Sequence, residues 1–469
     1  MTPAAGSHIF EGISGGRELG KTIRIGAGSA WWGDRIEPAI LNAREGDLDY
    51  LCFETMAEAT ISAAQVRARR DPSFPGYDTY LDDRMRGVLP HCLRRGTRIV
   101  SNQGWINPDG AAQHVTRLLR ELGARGVKVA AVNGSLITDR VLELTDTILE
   151  NGQPTASLAP SLVSAEVYLG AEPIVQALRE GAQVVVTGRT ADPSIFMAPM
   201  MFEFGWDPLD HARLGAGNGL GHLMECGAQV TGGYFSDPGF KDVPEPWNLA
   251  FPIAEVEADG SAVLTKVAGS GGAVNLQTVK EQLLYEVHDP ANYLTPDVVV
   301  DFTTTRLEQM GPDRVRVSGI GGKPRTPTLK VSIGCTEGFI GEDMFFYAGP
   351  GALRRAQLAK RILEERFRIV KLDAEEVRID FLGLNAIHGA MSPASQPEPY
   401  EIAVRVAART RTREEAAKVG REVDGMAVSG VGHTGKRVPH QDRTREIIGV
   451  WSSLVPRERV PPEIHWFES

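Results

Sequence analysis

The sequence predicts an α/β protein: a mostly parallel sheet with flanking helices in the N-terminal half, followed by a second α/β (α+β) lobe. Short apolar segments rich in branched residues recur through the first 190 residues and end in small or polar residues, as buried parallel strands do. Segments with helical spacing separate them, and this alternation is typical of a parallel sheet with crossover helices. A chain of 469 residues also exceeds the usual size of one compact domain, so we expect two.

The individual elements can be read from these patterns. The predicted strands are TIRIGAG, LDYLCFE, TRIVSNQG, VKVAAVNG and AQVVVTG, and the predicted crossover helices cover 37–46, 110–126 and 170–182. The glycine-rich stretch LGAGNGLGHLMECGAQVTGG and the proline-rich stretch after it predict loops, and long loops often line a site. In AEVEADGSAVLTKV, an Asp-Gly turn between two strand-like runs predicts a hairpin.

These patterns predict a division of the chain at the loops. We expect an N-terminal α/β domain at 1–239, with a glycine-rich loop region at 213–239, and a C-terminal α+β lobe at 240–469. The lobe has predicted strands in PDVVVDFTTT, RVRVSGIGG and TLKVSIGC, a helix in ALRRAQLAKRILEERF, and a closing strand–helix unit in YEIAVRVAARTRTREEAAKVGREVDG.

Composition excludes several classes of protein. The residues are 42% hydrophobic and 23% charged, and no apolar run approaches the roughly 18 residues of a membrane span. A net charge of −10, spread along the chain, argues against a nucleic-acid partner. The start MTPAAGSHIF is unlike a secretory signal, and the four cysteines form no C-x-x-C pair. We therefore expect a soluble cytoplasmic protein with free thiols.

Polar residues follow the predicted parallel strands, where open sheets bind their ligands. Those with functional interest are Glu54, Asn102, Gln103, Asn133, Arg189 and Asp192. Carboxylates, amides and one arginine at a shared edge predict a site for a polar, carboxylate-bearing molecule, although some of them could instead cap the next helix. A guanidinium buried at a strand end needs a partner, so Arg189 pairs either with Asp192 or with an anionic ligand.

Two glycine-rich turns admit more than one interpretation. IGAGSAWWGD at 25–34 has G-x-G after a strand, but its third glycine is displaced, which favours a tight turn over a dinucleotide site. In GSGGAVN at 269–275, the N–H groups of Gly271 and Gly272 could hold a phosphate, a carboxylate or an acyl-CoA at a helix start. The alternative is a turn that needs glycine only because neighbouring backbone atoms lie close to it.

The motif HLMEC places His222, Glu225 and Cys226 within one helical turn. A zinc site is incomplete, because cysteine replaces the last residue of H-x-x-E-H. Cys226 could be a nucleophile with a histidine base, or Glu225 could be a general acid or base whose pKa burial raises. A buried cysteine beside a hydrogen-bonded His–Glu pair is the structural alternative.

The segments HLMECGAQVTGG, VVVTGRTADPSIF, SNQGWINPDG and GSGGAVNLQTVKEQLLYEVHDPANYLTPDV resemble the AtuA family of acyclic terpene utilization, and the likeness spans about 20–460. The resemblance implies catabolism of branched acyl chains by carbon–oxygen or carbon–carbon lyase chemistry on a carboxylate or its CoA ester. Some members carry an extra C-terminal ferredoxin-like module. This chain ends at HWFES, so we expect a separate small subunit.

Together these observations predict a lyase acting on a branched carboxylic acid or its acyl-CoA ester. Arg189 would hold a carboxylate, Asn102 and Gln103 would polarise it, and Glu225 or Glu54 would move the proton with His222 as partner. The alternatives are a thioester or amide hydrolase with Cys226 as nucleophile, and a non-catalytic subunit of a catabolic complex. No cofactor is certain; Mg²⁺ or the CoA of the substrate are candidates. We expect a homo-oligomer with neither a nucleic-acid nor a membrane partner.

Overall fold

The computed structural model describes residues 20–393, 397–432, 435–436 and 443–469, apart from the side chains of residues 58, 59 and 436. The helices are α1 (Glu37–Glu45), α2 (Glu58–Arg70), α3 (Leu81–Arg95), α4 (Pro108–Glu121), α5 (Val141–Leu144), α6 (Glu172–Arg179), α7 (Asp192–Phe204), α8 (His211–Glu225), α9 (Leu276–Leu284), α10 (Ala352–Ile369) and α11 (Arg413–Ser429). The strands are β1 (Thr22–Ser29), β2 (Tyr50–Phe53), β3 (Arg98–Ser101), β4 (Lys128–Asn133), β5 (Leu162–Val167), β6 (Val184–Thr187), β7 (Ile253–Glu257), β8 (Ala262–Thr265), β9 (Tyr293–Leu294), β10 (Val299–Asp301), β11 (Arg306–Gly311), β12 (Arg314–Ser318), β13 (Gly321–Lys323), β14 (Thr328–Ala348), β15 (Glu376–Leu382), β16 (Glu401–Thr410), β17 (Gly435–Lys436), β18 (Thr444–Pro456) and β19 (Glu463–Glu468).

Contacts divide the chain into two compact units. Unit 1 comprises the described residues up to 156 together with 164–333 and 452–469, and unit 2 comprises 157–163 and 334–451. These boundaries differ from the division predicted at 239/240. The reason lies in the sheet of unit 1, where β7 pairs with β1 through Thr22↔Glu257 to Gly26↔Ile253 and so continues the N-terminal sheet beyond residue 240.

The main sheet of unit 1 has ten strands in the order β11-β12-β8-β7-β1-β2-β3-β6-β4-β19. The central strands β1, β2, β3, β6 and β4 are parallel, and they are the apolar segments identified in the sequence. The strands on either side of them are antiparallel, including the β7–β8 hairpin that the Asp-Gly turn predicts. The expectation of a mostly parallel sheet is therefore only partly correct, because hairpin strands and β19 extend the parallel core into a mixed sheet.

Helix α8 lies where the glycine-rich stretch predicts a loop. Asp210 caps its N-terminus by accepting a hydrogen bond from the N–H of Arg213, and all its residues from Leu214 to Glu225 are buried. The glycines allow close packing: a Cβ on Gly215 would lie 2.2 Å from the carbonyl oxygen of Gly321, and one on Gly221 would lie 2.4 Å from that of Pro193. The prediction was wrong because glycine signals a loop on average, whereas here it lets neighbouring backbones approach a buried helix.

Unit 2 has the β-α-β-β-α-β order of a ferredoxin-like fold, given by β14, α10, β15, β16, α11 and β18. Strand β16 pairs antiparallel with both β14 and β15, and β18 also pairs with β14. Alternate residues of β16, such as Val404 and Val406, pack in one core with Ala356 and Leu363 of α10 and Val419 of α11. The predicted α+β character of the C-terminal region is thus present in this unit.

Candidate active site

Glu54 lies in the loop after β2, and its neighbours fix its carboxyl group. The N–H of Met56 and the side-chain amide of Asn102 both donate hydrogen bonds to Glu54 Oε1, the second over 3.1 Å. Asn102 is fully buried after β3, and its Oδ1 accepts from the N–H of Thr55 at 2.7 Å. Asn102 therefore orients the loop and the carboxyl group, and Glu54 itself is only 5% exposed.

Arg189 follows β6 and is 1% exposed. Its guanidinium donates to the carbonyl oxygen of Met56, lies over the ring of Tyr168 at 4.2 Å, and approaches Asp192 Oδ1 to 3.1 Å through Nη2. Of the two partners that the sequence suggests for Arg189, the structure shows Asp192. The side chain of Asp192, at the start of α7, is 30% exposed, so this side of the cluster reaches the surface.

The carboxyl groups of Glu54, Glu166 and Asp192 all interact electrostatically with the Arg189 guanidinium. Burial raises the pKa of Glu54 well above its ordinary value; the Asp192 carboxylate raises it further, and Arg189 only partly opposes both. Burial likewise raises the pKa of Glu166 to about 8, although the charge of Arg189 lowers it. Desolvation and neighbouring like charges both disfavour ionisation. We therefore expect the cluster to keep a carboxyl proton at neutral pH.

His222 and Glu225 occupy one face at the end of α8, three residues apart. His222 Nδ1 lies 2.9 Å from Glu225 Oε1, and the imidazole ring lies 5.4 Å from the ring of Tyr293 and 5.6 Å from that of Phe302. Burial lowers the pKa of His222 to about 4, so the ring is neutral at pH 7 and the contact is a hydrogen bond between neutral imidazole and carboxyl. Within the described part of the chain, the buried Nε2 atom has no hydrogen-bond partner.

Cys226 lies close enough to both Glu225 and Glu54 for their charges to affect its thiol. Burial raises the pKa of its thiol, and the nearby carboxyl groups of Glu225 and Glu54 raise it further. The loop after β1 supports the same arrangement: Ser29 Oγ donates to the carbonyl oxygen of Glu54 at 2.6 Å, and a Cβ on Gly227 would lie 3.1 Å from that of Ala30. The strand-end residues Glu54, Arg189 and Asp192 and the HLMEC residues therefore form one cluster.

Other predicted site residues make contacts outside this cluster. Gln103 donates to Asp78 Oδ2 at 2.8 Å, and Asn133 donates to Asp109 Oδ1 at 2.8 Å. The N–H groups of Gly271 and Gly272 donate to the carbonyl oxygens of Asn248 and Pro244, so both donors are already used within the protein. The geometry thus gives Gln103, Asn133 and the two glycines structural partners.

Sequence reasoning missed three side chains of the cluster and its surroundings, those of Glu166, Tyr168 and Tyr293. Glu166 lies in β5, a strand whose pattern was not recognised, and the aromatic ring of Tyr168 supports Arg189. Tyr293 lies in the two-residue strand β9, which is too short to produce a periodic signal. The presence of Tyr293 in one of the long family-like segments was the one available hint.

Among the described residues, no group of three or more histidine, cysteine, aspartate or glutamate side chains is arranged to hold a metal ion. No helix in the described ranges is long and apolar enough to cross a membrane.

The protein is thus an α/β protein with a desolvated cluster of carboxyl groups at the carboxyl ends of its parallel strands. The chain belongs to the acyclic terpene utilisation family AtuA, whose family model matches residues 23–466. Membership of this family implies a role in the catabolism of acyclic terpenes. No curated protein sequence matches the chain.

Proposed function

We propose that this protein is a catabolic lyase that adds or removes water, or cleaves a carbon–carbon bond, at the β-position of a branched carboxylic acid or its CoA ester. The observation that carries the proposal is Glu54, a buried carboxyl group whose pKa burial and Asp192 raise. A carboxyl group that burial keeps protonated can donate a proton and can then take one up again, as general acid–base catalysis requires.

In this proposal, one carboxyl group acts as the general base and another acts as the general acid. In the direction of water loss, one carboxylate accepts the proton from the α-carbon and one carboxylic acid donates a proton to the leaving β-hydroxyl, which departs as water. Glu54 and Glu225 are the candidates for these two tasks, since both lie within electrostatic reach of Cys226. His222 supports Glu225 through its hydrogen bond. Arg189 is a positioning residue that offsets the charge of Asp192 and Glu54.

The hydrolase alternative has less support. A nucleophilic cysteine must form a thiolate, and basic or cationic neighbours normally promote this. Around Cys226, burial and the carboxyl groups of Glu225 and Glu54 raise the thiol pKa instead. The nearby imidazole of His222 has its Nδ1 engaged with Glu225.

The test is to incubate the purified protein in heavy-oxygen water with branched and dicarboxylic acids, both free and as CoA esters, and to read product masses. Label in a hydroxyl group with an intact skeleton, or a split skeleton without label, is the expected result for a lyase. Label in a released carboxylate would instead support a hydrolase. No product from any substrate would contradict the lyase proposal and favour a subunit that requires a partner.

Variants link the reaction to the cluster. Glu54→Gln and Glu225→Gln keep the size of each side chain but remove its titration, and we expect both to abolish most turnover. Glu364→Gln is the matched control, because Glu364 pairs with Lys360 on the surface of α10 and is 41% exposed. Full activity in both Glu54→Gln and Glu225→Gln would contradict the assignment of the proton-transfer groups.

A further inference from the structure

Tyr293 is held beside the cluster by its own small sheet. Strand β9 pairs antiparallel with β10 through Leu294↔Val299 and Tyr293↔Val300. The tyrosine ring packs 5.4 Å from the ring of His222 and 5.6 Å from that of Phe302, and the two latter rings are also in contact. Three mutually packed rings fix the direction of the Tyr293 side chain.

The Tyr293 phenol lies within electrostatic reach of acidic groups. The carboxyl groups of Glu225, Asp192 and Glu286 and the thiol of Cys226 all act electrostatically on it, after the larger effect of burial. Both effects raise the pKa of the phenol, so the hydroxyl stays protonated throughout the neutral range. Tyr293 is therefore a hydrogen-bond donor in this site and cannot serve as a base.

Within the described ranges, no side chain or backbone group forms a hydrogen bond with this hydroxyl. The Tyr293 side chain is only partly buried, so a small molecule can reach the hydroxyl from outside the protein. A donor that ring contacts hold in place, and that has no hydrogen-bond partner in the described ranges, can donate to an oxygen atom supplied from outside the protein.

We infer that Tyr293 donates a hydrogen bond to an uncharged oxygen of the substrate, either the β-hydroxyl or the acyl carbonyl. The surrounding carboxyl groups repel an anionic oxygen at this position but tolerate a neutral one. The hydrogen bond holds this oxygen in position while a carboxyl group of the cluster transfers the proton, and no proton leaves Tyr293. This inference rests on the proposed function and adds a substrate contact to it.

The kinetic test is Tyr293→Phe, which keeps all three ring contacts and removes only the hydroxyl. We expect kcat to fall about 10- to 100-fold with an unchanged unfolding temperature. Tyr400→Phe is the matched control, since Tyr400 is 70% exposed in unit 2, and it should keep wild-type kcat. Full kcat in Tyr293→Phe, alongside an inactive Glu54→Gln, would overturn the inference and leave the lyase proposal standing.

A binding test separates the two proposals. Calorimetry with 3-hydroxy-3-methylbutanoate and with 3-methylbutanoate compares two affinities in the wild type and in Tyr293→Phe. The ratio shows how much more tightly each protein binds the acid that carries the hydroxyl. The wild type should bind the hydroxy acid more tightly, and Tyr293→Phe should lose about 10-fold of that discrimination while still binding the acid without the hydroxyl. Equal discrimination in both proteins would overturn the Tyr293 contact even if no turnover is found. If the wild type binds neither acid, whether free or as its CoA ester, both proposals fail.

Discussion

Charged residues in the two units have opposite environments. In unit 1, Arg189 is enclosed with the carboxyl groups of Glu54 and Glu166, each of which is at most 5% exposed. In unit 2, Arg405 lies between Glu342 and Asp380 on the sheet, and its side chain is 27% exposed. Residues of the same types therefore form a desolvated acidic cluster in one unit and a hydrated cross-strand network in the other.

The difference shows that desolvated ionisable groups are better suited to proton transfer than hydrated ones. Hydrated ion pairs gain little, because water screens them and already solvates each partner. In the enclosed cluster, desolvation shifts proton affinities, and a protein commonly retains such groups for function. We therefore expect changes in the cluster to alter activity and stability strongly, and changes in the network of unit 2 to alter them weakly.

The largest expected effect is on activity. Glu54→Gln should reduce kcat/KM by about 10²- to 10⁴-fold, because the variant cannot transfer a proton. Its fold should persist, since glutamine can still accept the hydrogen bonds from Met56 and Asn102. Steady-state kinetics on the substrate identified by mass measurement, with circular dichroism as the folding control, checks this. A loss smaller than about threefold would contradict the role of Glu54.

The next effect is on stability. Arg189→Met should lower the free energy of unfolding by about 3–5 kcal/mol at pH 9, where Glu166 is ionised and loses the guanidinium that offsets it. Urea unfolding at pH 9 measures this. The loss should shrink at pH 5, where the protonated Glu166 needs no positive partner. An equal loss at both pH values would show that the packing of Arg189 on Tyr168 matters more than its charge.

Glu166 should make the stability depend on pH. Its pKa in the folded protein is about 8, above its ordinary value of 4.5, so the folded state binds more protons than the unfolded state between these values. The stability it contributes is full below about pH 4.5 and is lost as the pH rises through 8. Glu166→Gln should remove this loss, on the order of 4 kcal/mol, from urea unfolding measured at pH 5 and pH 9. Identical pH profiles for variant and wild type would contradict it.

The smallest effect is expected in unit 2. Arg405→Ala breaks two partly hydrated pairs, with Glu342 and with Asp380, and should lower the free energy of unfolding by no more than about 1 kcal/mol. Turnover should stay at the wild-type level. A loss as large as that of Arg189→Met would mean that exposure does not explain the contrast between the units.

Local patterns predicted the central strands and several helices, because burial on both faces and helical spacing leave a direct imprint on a sequence. They also brought Glu54, Arg189 and Asp192 to one edge through the rule for parallel sheets. What they missed depends on partners that are distant in sequence. The glycine-rich segment can form the buried helix α8 because its glycines let the backbones of Pro193 and Gly321 approach closely. The engagement of Gln103 with Asp78, and the ring contacts of Tyr293, likewise arise from tertiary packing.

The central claim is that Glu54 holds an exchangeable proton at neutral pH. Infrared difference spectroscopy between the wild type and Glu54→Gln at pH 7 tests it directly, because a protonated carboxyl group absorbs apart from a carboxylate. Glu166 contributes equally to both proteins and cancels. The account predicts a protonated-carboxyl band in the wild type that the variant lacks and that titrates away as the pH is raised. A difference spectrum that shows only carboxylate at pH 7 would contradict it.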